Sequence, residues 1–160
     1  MFRSLATQAI IFFAIFQFLT WFKESNMLER QESLTEHNFI LPTITGEAIS
    51  LSPEKRTVIY FFAPWCSICH ASIDNLQAIY EKNETINVIA IALDFMEVSE
   101  IEDFVAKHQL TFPIVIGNEQ VKQAYKIHGY PSYYVMSEEN AVISKSIGYS
   151  TELGLYLRSL

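Results

Sequence analysis

Only two of the 160 residues are cysteine, and they stand three positions apart in FFAPWCSICHASI, residues 61–73. So short an inventory rules out a framework of several disulfides, and with half of the residues hydrophobic none is needed to staple the core. There is no second C-x-x-C, and the histidines other than His70 are scattered, so a zinc site would lack two ligands. Basic residues are also few, 11 against 18 acidic ones. All of the acidic residues and 10 of the basic ones lie after residue 22, which leaves residues 23–160 at a net −8. That balance argues against nucleic acid as a partner and against a surface lying flat on anionic lipid. Internal repeats and low-complexity tracts are absent.

Charge is missing altogether from Leu5–Phe22, LATQAIIFFAIFQFLTWF. As a helix these 18 residues would run about 27 Å, close to the roughly 30 Å hydrocarbon layer of a bilayer. The run is apolar on every face, ends on Trp21 and Phe22, and follows Arg3 and the terminal amine. It is longer than the apolar stretch of a cleaved signal peptide, and no small-x-small site follows it. It therefore reads as an uncleaved signal anchor over 1–22, with the N-terminus in the cytoplasm and the remainder outside. Residues 23–37, KESNMLERQESLTEH, are polar and read as a linker. The rest, 38–160, is expected to be one domain.

Within that domain FILPTITGEAISL, 39–51, suggests a hairpin. Thr57–Ala63 and Ile86–Leu93 are apolar on both faces and predict buried strands. Ser67–Glu81 and Val98–His108 have helical periodicity. A short strand over Phe112–Ile116 and a helix from about Asn118 to Tyr125 follow. Ser132–Met136 and Ala141–Ile147 form a second hairpin, and Thr151–Ser159 a last helix. Strands alternating with helices, then a hairpin and a helix, predict an α/β sandwich around a mixed sheet.

The cysteines then acquire a chemical setting. Cys66 follows a buried strand and falls at a helix N-terminus, and Cys69 lies one turn on. The helix dipole and the free N–H groups favour a thiolate at Cys66, and Cys69 is in reach to resolve a mixed disulfide. A purely structural disulfide closing so short a loop would gain little chain entropy. A C-x-x-C within a strand–helix–strand pattern reads instead as a dithiol exchanger. His128-Gly129-Tyr130-Pro131 precedes the strand SYYVM. A cis Tyr130–Pro131 bond would offer the Tyr130 backbone to a bound chain; a trans proline merely opening the strand is the plainer alternative.

APWCSIC resembles the active-site motif of thioredoxin-fold proteins, and AYKIHGYPSYYVMSEENAVISKSIGYS resembles the second half of that fold. HNFILPTITGEAISLSPEKRTVIYFFAPWCSIC is similar to the membrane-anchored TlpA/ResA/DsbE group of bacterial thiol–disulfide oxidoreductases, and the likeness covers about residues 36–160. The resemblance implies a thioredoxin-like three-layer sandwich preceded by a transmembrane helix. It makes Cys66 the attacking thiol, Cys69 the resolving thiol, Pro131 the cis-proline and Trp65 the tryptophan bordering the motif, with Tyr130 beside the client. It implies no cofactor beyond the redox-active disulfide and no metal. It places a monomer on the inner membrane with its catalytic domain in the periplasm, fed by a membrane electron donor and acting, as a reductase, on cysteine-containing client proteins. An oxidase or isomerase, and a copper chaperone on the same fold, are the alternative functions.

The sequence departs from the resemblance at two acid positions and in its inner dipeptide, Ser67-Ile68, which lacks the frequent proline. Many thioredoxins carry a buried acid six positions before the first cysteine, where this chain has Tyr60. The TlpA/ResA group often has glutamate three positions after the second, where it has Ser72. Asp74, Glu47 and His70 remain as possible proton acceptors for Cys69, with His70 expected as an exposed helix residue.

Overall fold

A computed structural model describes residues 2–32, 39–51 and 55–159, with the side chains of 2–6, 20 and 23 left out. Helix α1, Phe2–Ser25, takes up the uncharged N-terminal run, and its described apolar side chains from Ile10 to Phe22 are exposed. Counted on the described residues, no helix is long and apolar enough to cross a membrane.

The hairpin is formed by β1, Ile40–Pro42, and β2, Ala48–Ser50, paired antiparallel around Gly46. The main sheet comprises β3 (Thr57–Phe62), β4 (Asn87–Ala92), β5 (Ile114–Ile116), β6 (Ser132–Met136) and β7 (Val142–Ile147), ordered β5-β4-β3-β6-β7. The β3–β4 and β4–β5 pairs are parallel and the β3–β6 and β6–β7 pairs antiparallel, so the sheet is mixed, as the alternation of elements predicts.

Strand β3 is buried along its whole length because both faces are covered. Val58, Tyr60 and Phe62 pack against α2 (Ser67–Lys82), α3 (Val98–His108) and α5 (Glu152–Arg158) through Ile73, Leu76, Phe104 and Leu155. Ile59 and Phe61 face the other way, onto Val121 of α4 (Glu119–Ala124), Tyr125 and the hairpin residue Leu41. The period of two sends alternate residues to opposite layers. This is the expected three-layer sandwich, with the strand and helix bounds lying within one or two residues of those read from the sequence.

The stretch read as a linker, 23–37, carries Met27 and Leu28 into the second core layer. The Leu28 amide donates to the Tyr134 hydroxyl at 3.1 Å, and Lys145 Nζ donates to the Met27 carbonyl at 3.4 Å. Gln31 N–H donates to Val142 O and Val142 N–H to Glu32 O, so 31–32 lies along β7. Residues 33–37 fall outside the described part.

Candidate functional site

The β3–β6 register ends with Phe61 opposite Ser132, which brings the loop leaving β3 alongside the start of β6. Cys66 is in that loop and Pro131 immediately precedes β6, so two segments 65 positions apart in sequence share one edge.

Cys66 is the N-cap of α2: its backbone is extended (φ −79°, ψ 109°) and its sulfur accepts the Cys69 N–H at 3.1 Å. A Ser, Asp or Asn normally caps a helix this way; here sulfur takes the place, held by one of the free N–H groups of the first turn. Cys66 and Cys69 form a disulfide with Cα atoms 5.2 Å apart. The two sulfurs are unequal. Cys69 is fully enclosed, whereas Cys66 keeps 6% of its surface and lines an open cavity with Trp65, Asp94, Lys122, Gly129 and Tyr130.

The Tyr130–Pro131 peptide is cis. Gly148, just past β7, donates its N–H to the Pro131 carbonyl at 2.8 Å. Gly148 has φ +94°, a conformation that suits glycine and strains other residues.

The outer wall of the cavity is a polar construction that no motif announced. Trp65 is 63% exposed, and its indole N–H donates to the Asp94 carbonyl at 2.7 Å. The Asp94 carboxylate accepts from Lys122 Nζ at 2.7 and 2.8 Å and from the Tyr130 hydroxyl at 3.0 Å. The Trp65 and Tyr130 rings meet edge-on with centroids 6.0 Å apart. Burial, and then the Asp94 carboxylate, push the Tyr130 phenol upward, so it stays a hydrogen-bond donor. Asp94 itself has φ +50°, a left-handed turn that aspartate tolerates. That turn was the only local feature that could have singled it out, and it is not visible in sequence.

Beneath Cys69 the two departures at acid positions meet. The Tyr60 hydroxyl donates to the Cys69 carbonyl at 3.3 Å and lies 3.1 Å from the Ser72 hydroxyl. Ser72 Oγ in turn donates to the Ile68 carbonyl at 2.9 Å. Burial, and then Tyr133, push the Tyr60 phenol far above its ordinary range. Of the candidate acids, Glu47 is exposed in the β1–β2 turn and Asp74 is an exposed α2 residue bonded to His108; neither lies against Cys69. His70 is not the exposed helix residue the sequence suggested. Its ring is half-buried, tilted against Phe104 with centroids 4.5 Å apart, and hydrogen-bonded at both nitrogens. Among the described residues, no group of three His, Cys, Asp or Glu side chains is placed to hold a metal ion.

The sequence profile of the AhpC/TSA family matches residues 36–145. The chain is 25% identical over 145 residues to sporulation thiol-disulfide oxidoreductase A of Bacillus subtilis (strain 168), covering 86% of this chain and 87% of that relative. It is 27% identical over 150 residues to the thiol-disulfide oxidoreductase ResA of Oceanobacillus iheyensis, covering 88% and 77%. The crystal structure of StoA from Bacillus subtilis superposes with a TM-score of 0.69 at 25% identity, over 76% of this chain and 96% of that one. The chain belongs to the AhpC/TSA family, as a thioredoxin-fold thiol–disulfide oxidoreductase whose two cysteines form its disulfide.

Proposed function

We propose that the Cys66–Cys69 pair works as a protein disulfide reductase on the outer face of a bacterial cytoplasmic membrane, held there by residues 1–22. The observation that carries the reading is the inequality of the two sulfurs: one sits at a helix N-terminus and opens into a cavity, and the other is sealed behind it. In the reduced protein Cys66 is the thiolate. It attacks a client disulfide, forming a Cys66–client bond and releasing the client's other sulfur as a thiolate. Cys69 then loses its proton and attacks Cys66, which re-forms the protein disulfide and releases the client fully reduced. Two electrons pass from the protein to the client, and a membrane donor restores the dithiol.

Tyr130 and Pro131 supply the backbone edge along which an extended client segment lies, and Trp65 forms the wall beside it. The direction is argued from the thiolate. A strong oxidant needs its reduced form stabilised, as in DsbA. Among the described residues the Cys66 sulfur has one hydrogen-bond donor, the Cys69 amide, and its inner neighbours Ser67 and Ile68 carry no charge. We read a thiolate held by the helix N-terminus and one amide, with no charge on its inner neighbours, as less stabilised than that of a strong oxidant, which favours giving electrons away. With residues 1–22 as the anchor, the redox loop stands close to the membrane, because Phe22 and Asn26 line one cavity with Ile68, Tyr130 and Ile147.

The test is Cys69→Ala in the full chain, expressed in cells. It should accumulate mixed disulfides through Cys66 with cysteine-containing proteins outside the cytoplasm, resolved by dithiothreitol, whereas Cys66→Ala with Cys69 retained should trap far less. Equal trapping through Cys69 in Cys66→Ala, or none in Cys69→Ala, would refute the assignment.

A further inference from the structure

Beside the redox loop, four groups from three segments are joined in a row. His70 Nε2 lies 3.0 Å from the Pro64 carbonyl, His70 Nδ1 lies 2.8 Å from His108 Nε2, and His108 Nδ1 lies 2.7 Å from Asp74 Oδ1. Pro64 is two residues before Cys66, His70 is one after Cys69, and His108 is the last residue of α3. Phe104 packs against both imidazoles at a tilt, with centroids 4.5 and 4.9 Å away.

Counting protons decides what the row can do. A carbonyl oxygen only accepts, and so does an ionised carboxylate. Both ends of the row are therefore acceptors, and each contact needs its own proton. One proton lies between His70 and Pro64, one between the two rings, and one between His108 and Asp74. Two neutral imidazoles carry two N–H protons in all. The complete row thus holds one proton more than two neutral rings. When that proton leaves, one of the three contacts must open; if both ends keep their protons, two bare nitrogens face each other and the rings must part. If His108 keeps its N–H toward Asp74, His70 must turn its only N–H toward His108 and present a bare nitrogen to the Pro64 oxygen. If His70 keeps Pro64, Asp74 is released into solvent.

We propose that His70 is a positioning residue of the redox loop, and that the row Pro64–His70–His108–Asp74 shares an excess proton that links pH to the Cys66–Cys69 equilibrium. The inference rests on the thiol–disulfide chemistry of the pair and not on the direction of electron flow. Other charged groups face the row as well. Lys107, Glu100 and Asp103 of α3 line the cavity that His70 shares with Pro64 and Trp65, and Asp74 is the charged partner on α2. Burial first, then Lys107 and His108, push His70 below its usual range, while the Pro64 contact pulls it up. The one ionised acceptor bonded within the row is the Asp74 carboxylate, 2.7 Å from His108 Nδ1.

The consequence has a definite sign. With glutathione as reductant the step is: disulfide plus two glutathione thiols gives Cys66 thiolate, Cys69 thiol, glutathione disulfide and one proton. A positive charge on the row favours the thiolate side. The released proton opposes reduction as pH falls, and loading of the row offsets part of that, so relative to a protein whose row cannot load the exchange constant is higher at low pH by roughly fivefold, a usual size for coupled sites. By the same linkage, forming the Cys66 thiolate raises the proton affinity of the row by that factor.

Two measurements on the full chain in detergent micelles test this. The first is the glutathione exchange constant from pH 5 to 8 for the wild type and for His108→Gln, whose amide can still donate to His70 but cannot titrate. The wild-type curve should bend away from the variant's by about fivefold toward low pH. Superimposable curves would overturn the proposal. The second needs no variant and stands if His108→Gln does not fold: histidine ring nitrogen signals followed against pH in the oxidised and reduced protein. His70 and His108 should titrate together, at a higher midpoint in the reduced form. Separate titrations, or midpoints indifferent to redox state, would overturn it. Reversible exchange in the wild type with superimposable curves is a failure of the row, whereas no reversible exchange in the wild type is a failure of the redox assignment, so the two are distinguishable.

Discussion

The hydroxyls of Tyr60 and Ser72 lie 3.1 Å apart, both wholly buried beneath the first turn of the redox helix. These are the two positions at which the family resemblance leads one to expect an acid. Here they hold neutral hydroxyls that bond each other and the carbonyls of Cys69 and Ile68. A phenol pushed upward by burial does not take a proton near neutrality. The network therefore fixes the backbone around Cys69 without acting as its base.

Tyr60→Phe should accordingly cost stability and leave the thiol chemistry alone. Removing the hydroxyl deletes its bond to the Cys69 carbonyl and its contact with Ser72, while Ser72 keeps Ile68, a loss of about 1 kcal/mol. Urea unfolding reads the first effect, and the pH titration of Cys66 alkylation reads the second. A shifted alkylation profile would assign Tyr60 a role in proton transfer that its surroundings argue against.

Asp94 joins both aromatic residues of the client cavity, through its carbonyl to Trp65 and its carboxylate to Tyr130 and Lys122. Asp94→Ala should free Tyr130 and lower kcat/KM for a disulfide-bonded protein client by about tenfold, the usual effect of losing a charged hydrogen bond. The rate with dithiothreitol, too small to span the wall, should hardly change. Equal losses with both would place the effect on the cysteines rather than on client binding.

Leu28 is buried in the second core layer although its sequence neighbours are polar. Leu28→Ala in the full chain should destabilise the domain by about 2–4 kcal/mol, as in other buried leucine truncations. Chemical denaturation checks it, and a loss below about 1 kcal/mol would mean that the segment is a tether in solution.

The same segment has an acid-sensitive contact. The Glu29 amide, opposed by partial burial and helped by Lys126, holds the Glu32 carboxylate below its ordinary range. With the folded pKa depressed, the unfolded chain binds the proton more tightly. The stabilisation is thus present above the unfolded value of 4.5 and lost as pH falls through the folded one. For so exposed a group it is about 0.5 kcal/mol or less. Glu32→Gln should be slightly less stable than the wild type at pH 7 and equal to it at pH 3. A gap that persists at pH 3 would trace to packing instead.

Much of this arrangement is legible in the sequence because its signals are local. The run TVIYFFA is apolar on both faces because it is the central strand, and Cys69, Ile73, Leu76 and Ile79 recur at helical spacing because they face one layer. Cysteine spacing and the Tyr-Pro pair marked the site directly. What was not legible depends on partners far away in the chain. Leu28 owes its burial partly to a tyrosine 106 positions on, and His70 meets a histidine 38 positions away. Asp94 becomes a cavity residue through a left-handed backbone turn. Neither periodicity nor composition records such meetings.

The most direct test is the equilibrium reduction potential of the Cys66–Cys69 pair in the full chain, titrated at pH 7 against dithiothreitol and glutathione. A reductase with a weakly stabilised thiolate should lie near thioredoxin, about −270 mV. A value near that of DsbA, about −120 mV, would reverse the proposed direction of electron flow. Absence of any reversible two-electron transition would remove the redox assignment altogether.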